Sequence, residues 1–306
     1  MSDFFNNGWS IFVAGITVVG LLGCLWLLFV ASRRQPMAAD NSTGHVFDED
    51  LVEMNNPLPR WWMWLFILTV VFAFGYVAMF PGLGSFAGRL KWTSVNQLEA
   101  DQQAAAREVA PIYAAFKGLP AAELSRNPKA MAIGERLFIN NCAACHGSDA
   151  RGSKGFPNLT DNDWLHGGSP EKIEETITQG RIGMMPPMAA AVGTPDDVRN
   201  VANYVLSLSG SPHNSIAAAA GRSKFTVCAA CHGIDGKGNQ ALGAPNLTDK
   251  IWLHGWGEDA VVAMVTQGKT NTMPAQAGRL TPDQIHVLAT YVWSLSQSAL
   301  PVTASK

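Results

Sequence analysis

The chain has 306 residues, 47% of them hydrophobic and 15% charged, with Lys+Arg 22 set against Asp+Glu 24. A net charge of -2 excludes a basic nucleic-acid binder, and high apolarity with so little charge excludes an intrinsically disordered chain. The five cysteines are an odd number with four in two identical clusters, which does not suit a disulfide framework.

The first predicted element is a membrane helix over residues 9–30. No charged residue occurs between Asp3 and Arg33, and a run of this length covers about 33 Å against a hydrocarbon core of about 30 Å. A cleaved signal peptide fits poorly, because the run has no positive n-region and is too long for an h-region. A second uncharged run, 61–80, is closed by Pro81 and Gly82. Trp61, Trp62, Trp64 and Phe66 at its start suit an interfacial belt. Residues 1–92 therefore read as a transmembrane hairpin. Arg33, Arg34 and Arg60 place the loop 31–60 in the cytoplasm and both termini outside, although Arg89 and Lys91 pull mildly the other way. Cys24, inside the first run, reads as a small packing residue.

Residues 93–125, rich in Ala and Gln, read as a linker able to carry a helix. Beyond them the chain repeats itself. Cys142-Ala-Ala-Cys145-His146-Gly147 recurs as Cys228-Ala-Ala-Cys231-His232-Gly233, and Pro157-Asn-Leu-Thr-Asp recurs from Pro245. Trp164-Leu-His-Gly recurs from Trp252, Thr178-Gln-Gly from Thr266, and Met185-Pro186 as Met273-Pro274. The offsets of 86 to 88 residues define a tandem pair of domains, 126–211 and 212–306. Asn127-Pro128, Ser169-Pro170, Thr194-Pro195 and Thr281-Pro282 are helix starts, and Gln284 completes a capping box. Val198, Val201, Val205 and Leu208 recur at helical spacing, as do Ile285, Leu288, Val292 and Leu295. No stretch shows sustained strand alternation, so the expected class is all-α.

Cys-x-x-Cys-His is the attachment signature of c-type haem. Two thiols add across the porphyrin vinyl groups, and the adjacent histidine is forced beneath the iron. A zinc site would not require His at this fixed position twice, and no βαβ pattern supports a thioredoxin-like motif. Two motifs imply two covalent haem c groups, held by Cys142 and Cys145 and by Cys228 and Cys231, with His146 and His232 as axial ligands. The sixth ligand of an electron-transfer haem is commonly methionine. Met185 and Met273 are the methionines that align, each about 40 residues after its histidine. Met184 and Met188 have no counterparts in the second copy. His166 and His254 also align and offer bis-His ligation as an alternative to a polar or surface role. His213 and His286 read as structural or solvated, and His45 lies in the loop between the helices. Either methionine can serve either iron, by own-copy closure or by exchange between copies. Haem c attachment takes place on the periplasmic side of bacterial membranes, in agreement with the hairpin orientation.

Two membrane helices followed by two class I-like cytochrome c domains resemble the dihaem subunit (CcoP or FixP, subunit III) of cbb3-type cytochrome c oxidases. The resemblance covers nearly the whole chain and is sharpest at Asn56-Pro57-Leu58-Pro59-Arg60-Trp61-Trp62. It implies a bacterial inner-membrane subunit, multi-pass and with its cytochrome domains periplasmic. Such a subunit accepts electrons from a soluble or membrane-bound cytochrome c donor. It passes them through a monohaem cytochrome c subunit to the catalytic haem–copper subunit, where oxygen is reduced and protons are pumped. The helix at 9–30 is a departure, since many members have one membrane helix. The competing readings are a dihaem carrier serving another redox enzyme and a dihaem peroxidase, which would need one iron with an open position.

Overall fold

The computed structural model describes residues 6–33, 39–56 and 58–297; Asp3, Arg34 and Pro57, used in the sequence reading, lie outside them. The described residues are largely helical and divide into two units, Met1–Val109 and Ala110–Lys306.

In the N-terminal unit, helix α1 (Asn7–Ser32) is opened by the Asn6 side chain, which accepts from the Trp9 N–H. Strands β1 (Ser42–Phe47) and β2 (Leu51–Met54) form an antiparallel hairpin, and helix α2 (Arg60–Met79) follows. The two helices cover the two apolar runs. At mean hydropathies of 2.5 and 2.0 both are long and apolar enough to cross a membrane. Only Leu28 of α1 and Val70 of α2 are buried. A helix apolar on all sides yet not covered by protein calls for an apolar solvent. The Ser85 N–H donates to Ser10 Oγ at 2.7 Å, so the chain leaving α2 returns to the start of α1. The hairpin was not among the sequence expectations. Its strands carry only one or two apolar residues per face, too few to register as alternation.

Helix α3 (Ser94–Ala114), with Pro111 inside it, runs from the first unit into the second. The C-terminal unit continues with α4 (Ala121–Leu124), α5 (Pro128–Asn141), α6 (Ala143–His146), α7 (Pro170–Gln179), β3 (Arg181–Met185), α8 (Ala189–Val192) and α9 (Pro195–Leu208). The second copy supplies α10 (Ser215–Gly221), α11 (Thr226–His232), α12 (Glu258–Gln267), β4 (Lys269–Met273) and α13 (Pro282–Gln297). The caps are those the sequence signals. Asn127 accepts from the N–H groups of Lys129 and Ala130, and Ser169 from Lys172. Thr194 and Asp197 bond reciprocally, as do Thr281 and Gln284. Each satisfies donors that a helix N-terminus leaves open, stabilising it by about 0.5–2 kcal/mol.

The cores are not built copy by copy. One core joins Phe138 of α5 and Ile173 and Ile177 of α7 to Ile285, Leu288, Ala289 and Val292 of α13. The other joins Phe225 and, from α12, Val261 and Val265 to Val198, Val201, Val205 and Leu206 of α9. The early helices of each copy therefore pack against the last helix of the other. Close crossings explain the fit: Gly134 of α5 lies against Tyr291, and Gly221 of α10 lies against the backbone of Asn200 and Val201. One turn further on, Phe138 meets Tyr291 at 5.9 Å between ring centroids and Phe225 meets Tyr204 at 5.2 Å. β3 and β4 pair antiparallel between the cores, from Arg181 opposite Met273 to Met185 opposite Lys269. These five-residue strands are too short to give a strand signal in sequence.

Candidate cofactor centres

The two Cys-x-x-Cys-His segments take the same local form. Cys142 ends α5 and is half-buried, Cys145 is exposed on α6, and His146 is buried at the helix end. Cys228 and Cys231 repeat this on α11, with His232 buried. All four thiols are free. Burial, with a smaller contribution from Cys145, pushes the Cys142 thiol up to about 11, and burial likewise raises Cys228.

Each buried histidine is oriented by the loop that follows it. His146 Nδ1 lies 3.1 Å from the Pro157 carbonyl and His232 Nδ1 3.0 Å from the Pro245 carbonyl. A carbonyl only accepts, so Nδ1 carries the proton and donates. The Nε2 lone pair of each ring is left available to a metal. The repeated Pro-Asn-Leu-Thr-Asp segment thus acts by fixing a tautomer.

The methionines follow the exchanged packing. Met273 packs against the core that contains Phe138, together with Cys142, Ala143, Leu159 and Trp164. Met185 packs against the core that contains Phe225, together with Cys228, Ala229, Leu247 and Trp252. Each stands where its strand leaves the β3–β4 ladder. The glycine of the repeated Thr-Gln-Gly holds each turn. Gly180 (φ 72) lies against the backbone of Met273 and Pro274, and Gly268 (φ 68) against that of Met185 and Pro186. A β-carbon at either position would meet a carbonyl in a conformation that already disfavours side chains. The repeat marked these glycines in the sequence but gave them no role. Of the other methionines, Met184 is 73% exposed, while Met188 also packs on the second core.

The remaining histidines lie elsewhere. The His166 ring lies close to Gly243 of the other copy, and His254 Nε2 lies 2.8 Å from the Asn271 amide nitrogen. His213 bonds the Ser211 carbonyl, and His286 bridges Glu174 and the Leu119 carbonyl. His45 pairs with Glu53 in the hairpin. The loops around the two centres meet directly. The Gly155 N–H donates to the Leu253 carbonyl at 2.8 Å, and the Gln240 amide donates to the Trp164 carbonyl at 3.2 Å.

The residues fit a covalently held haem. Each centre offers two thiols and an imidazole nitrogen with a free lone pair on one short segment, and the first cysteine of that segment packs on the same apolar core as a thioether. The buried Trp252 Nε1 has no hydrogen-bond partner among the described residues. A buried donor of this kind needs an acceptor, and a haem carboxylate would be one.

Comparison with known proteins gives a consistent result. The family described as the N-terminal domain of cytochrome oxidase-cbb3, FixP, matches residues 39–87. That described as cytochrome c oxidase, cbb3-type, subunit III, matches 129–205 and again 217–292. The chain is 67% identical over 299 residues to the cbb3-type cytochrome c oxidase subunit CcoP of Rubrivivax gelatinosus, with 98% of each chain covered. It is 39% identical over 273 residues to the subunit FixP of Azorhizobium caulinodans, covering 83% of this chain and 92% of the relative. Against the FixP of a Bradyrhizobium strain it is 41% identical over 274 residues, covering 83% and 94%.

Proposed function

The chain belongs to the CcoP/FixP (subunit III) family of cbb3-type cytochrome c oxidases, and from that premise we propose that it holds two haem c groups with their methionine ligands exchanged between the sequence copies. It is the electron-transfer subunit of the oxidase, passing electrons towards the catalytic subunit without being catalytic itself.

Cys142 and Cys145 attach the first haem, with His146 and Met273 as axial ligands. Cys228 and Cys231 attach the second, with His232 and Met185. The packing of Met273 on the same core as Cys142, and of Met185 on the same core as Cys228, carries this assignment. When bound, each haem supplies a one-electron iron couple, which a His/Met ligand pair keeps at high potential. His146 and His232 present Nε2 because the Pro157 and Pro245 carbonyls hold their Nδ1 protons. Met273 and Met185 are partly buried against the apolar cores, and Trp252 offers its indole N–H to a carboxylate at the second centre. A haem iron held by both a histidine and a methionine would have no position open to peroxide. Each haem-binding fold then combines the first half of one copy with the last helix of the other, so 126–211 and 212–306 are units of sequence shared between two folds.

Helices α1 and α2 anchor the chain in the bacterial inner membrane, with the intervening loop cytoplasmic and both termini and the haem folds periplasmic. Arg33 and Arg60 beside the loop, and the contact of Ser85 with Ser10, support this hairpin topology. The partners in this reading are the catalytic haem–copper subunit, the monohaem cytochrome c subunit and a cytochrome c donor.

A full-length chain with Cys228→Ala and Cys231→Ala, left with one haem, tests the exchange. In that background Met273→Ala should abolish the near-infrared methionine–iron band, and Met185→Ala should leave it. The opposite pattern would establish own-copy ligation.

A further inference from the structure

The hairpin of β1 and β2 lies outside everything the haem chemistry uses, and both of its faces are open. Residues directly opposite across an antiparallel pair share a face. Val46 opposes Val52 on one face and Phe47 opposes Leu51 on the other. All four side chains are 47–61% exposed, and every residue of β2 is exposed. An isolated two-stranded hairpin is at best marginally stable in water, and one with an apolar pair on each face has no face suited to solvent. It therefore has to be covered.

Position and charge specify the cover. Only residues 55–59 separate β2 from the start of α2, so the hairpin is held at the membrane surface. From Asp40 to Met54 the segment carries Asp40, Asp48, Glu49, Asp50 and Glu53, with no Lys or Arg. Three of these form the hairpin tip. Anionic headgroups repel such a segment. The cytoplasmic loops of integral membrane proteins carry an excess of Lys and Arg, and attract it.

We infer that the hairpin 42–54 is a docking tongue that inserts its two apolar pairs against a Lys/Arg-rich cytoplasmic surface of the membrane-integral catalytic subunit. This rests on the oxidase-subunit reading and on the cytoplasmic placement of the loop.

The test uses the full chain purified in mild detergent from native membranes, with haem b and haem c quantified. Phe47→Ser combined with Val52→Ser removes one apolar residue from each face. The ratio of this chain to haem b should fall about tenfold or more, given the burial lost. The chain should keep its two c haems. In parallel, a photo-reactive phenylalanine analogue in place of Phe47 should cross-link, in native membranes, to a basic cytoplasmic loop of the catalytic subunit. An unchanged ratio overturns the inference, as do cross-links that reach only lipid. A wild-type chain that itself parts from haem b overturns the oxidase-subunit reading, and the docking with it.

Discussion

Met185 and Met273 stand at opposite ends of one two-stranded ladder, the first facing Lys269 and the second facing Arg181. Five pairs at about 3.4 Å per residue separate them by about 14 Å along the strands. Met185 at the end of one strand packs against the core that contains Phe225, and Met273 at the end of the other against the core that contains Phe138. The ladder is thereby a spacer of fixed length between two centres, and its ends are pinned by Gly180 and Gly268.

The glycines give a prediction that crosses the copies. Gly180→Ala should destabilise the chain by about 1–3 kcal/mol, from its left-handed backbone and the close approach to Met273. It should weaken the methionine–iron band of the haem on Cys142, because the turn that Gly180 holds is that of Met273, from the other copy. Gly268→Ala should do the same for the haem on Cys228. Near-infrared spectra of single-haem backgrounds check this. An effect confined to Met185 in the Gly180 variant would refute the geometry.

Core substitutions should also act across copies. Leu288 of α13 and Leu206 of α9 are buried at 0% and 2% exposure. Replacing either with Ala should cost about 2–5 kcal/mol. Leu288→Ala should release amide protons in α5 and α7 to exchange while leaving α10 and α12 protected. Leu206→Ala should reverse the pattern. Hydrogen exchange followed by mass spectrometry distinguishes the two.

Asn203 is a buried polar hub. Its amide donates to the Arg199 carbonyl and to Glu258 on α12, and its side-chain oxygen accepts from the Asn214 N–H that opens α10. Asn203→Leu should leave these groups unpaired and cost about 1–3 kcal/mol, read as a lowered thermal midpoint. A midpoint within error of wild type would mean that water replaces all three bonds.

His254 gives a pH dependence with a definite sign. Partial burial, then Lys269 and Lys154, lower its pKa below the usual 6.5, and its Nε2 accepts from the Asn271 amide only when neutral. The unfolded chain therefore takes up the proton first as pH falls. The contribution to stability is present above pH 6.5 and is lost below it, down through the folded value. His254→Gln should flatten this part of the stability profile, measured by denaturant unfolding across the range. A profile as steep in the variant as in wild type would exclude His254 as its source.

Much of the molecule was legible in its residues. Charge-free runs marked α1 and α2 because a hydrocarbon core admits no unpaired charge. The fixed spacing of Cys142, Cys145 and His146, and its recurrence from Cys228, marked two centres because attachment chemistry is local. Asn127, Ser169, Thr194 and Thr281 marked helix starts for the same reason. The β1–β2 hairpin was not legible, since its apolar pairs fall one to a face and leave no periodic trace.

Sequence by itself determined which residues form the two Cys-x-x-Cys-His segments, that the segment occurs twice and that two helices are long and apolar enough to cross a membrane, all properties of contiguous residues. Tertiary structure alone decided which half packs with which. The two copies share their motifs and the apolar spacing of their last helices, Val198, Val201, Val205 and Leu208 against Ile285, Leu288, Val292 and Leu295, so local pattern cannot rank the two pairings. Gly134 against Tyr291 and Gly221 against Asn200 record the choice. The short link from α9 to α10, residues 209–214, lets the last helix of the first copy fold directly back onto the first helix of the second, closing the exchanged pair with little loop entropy.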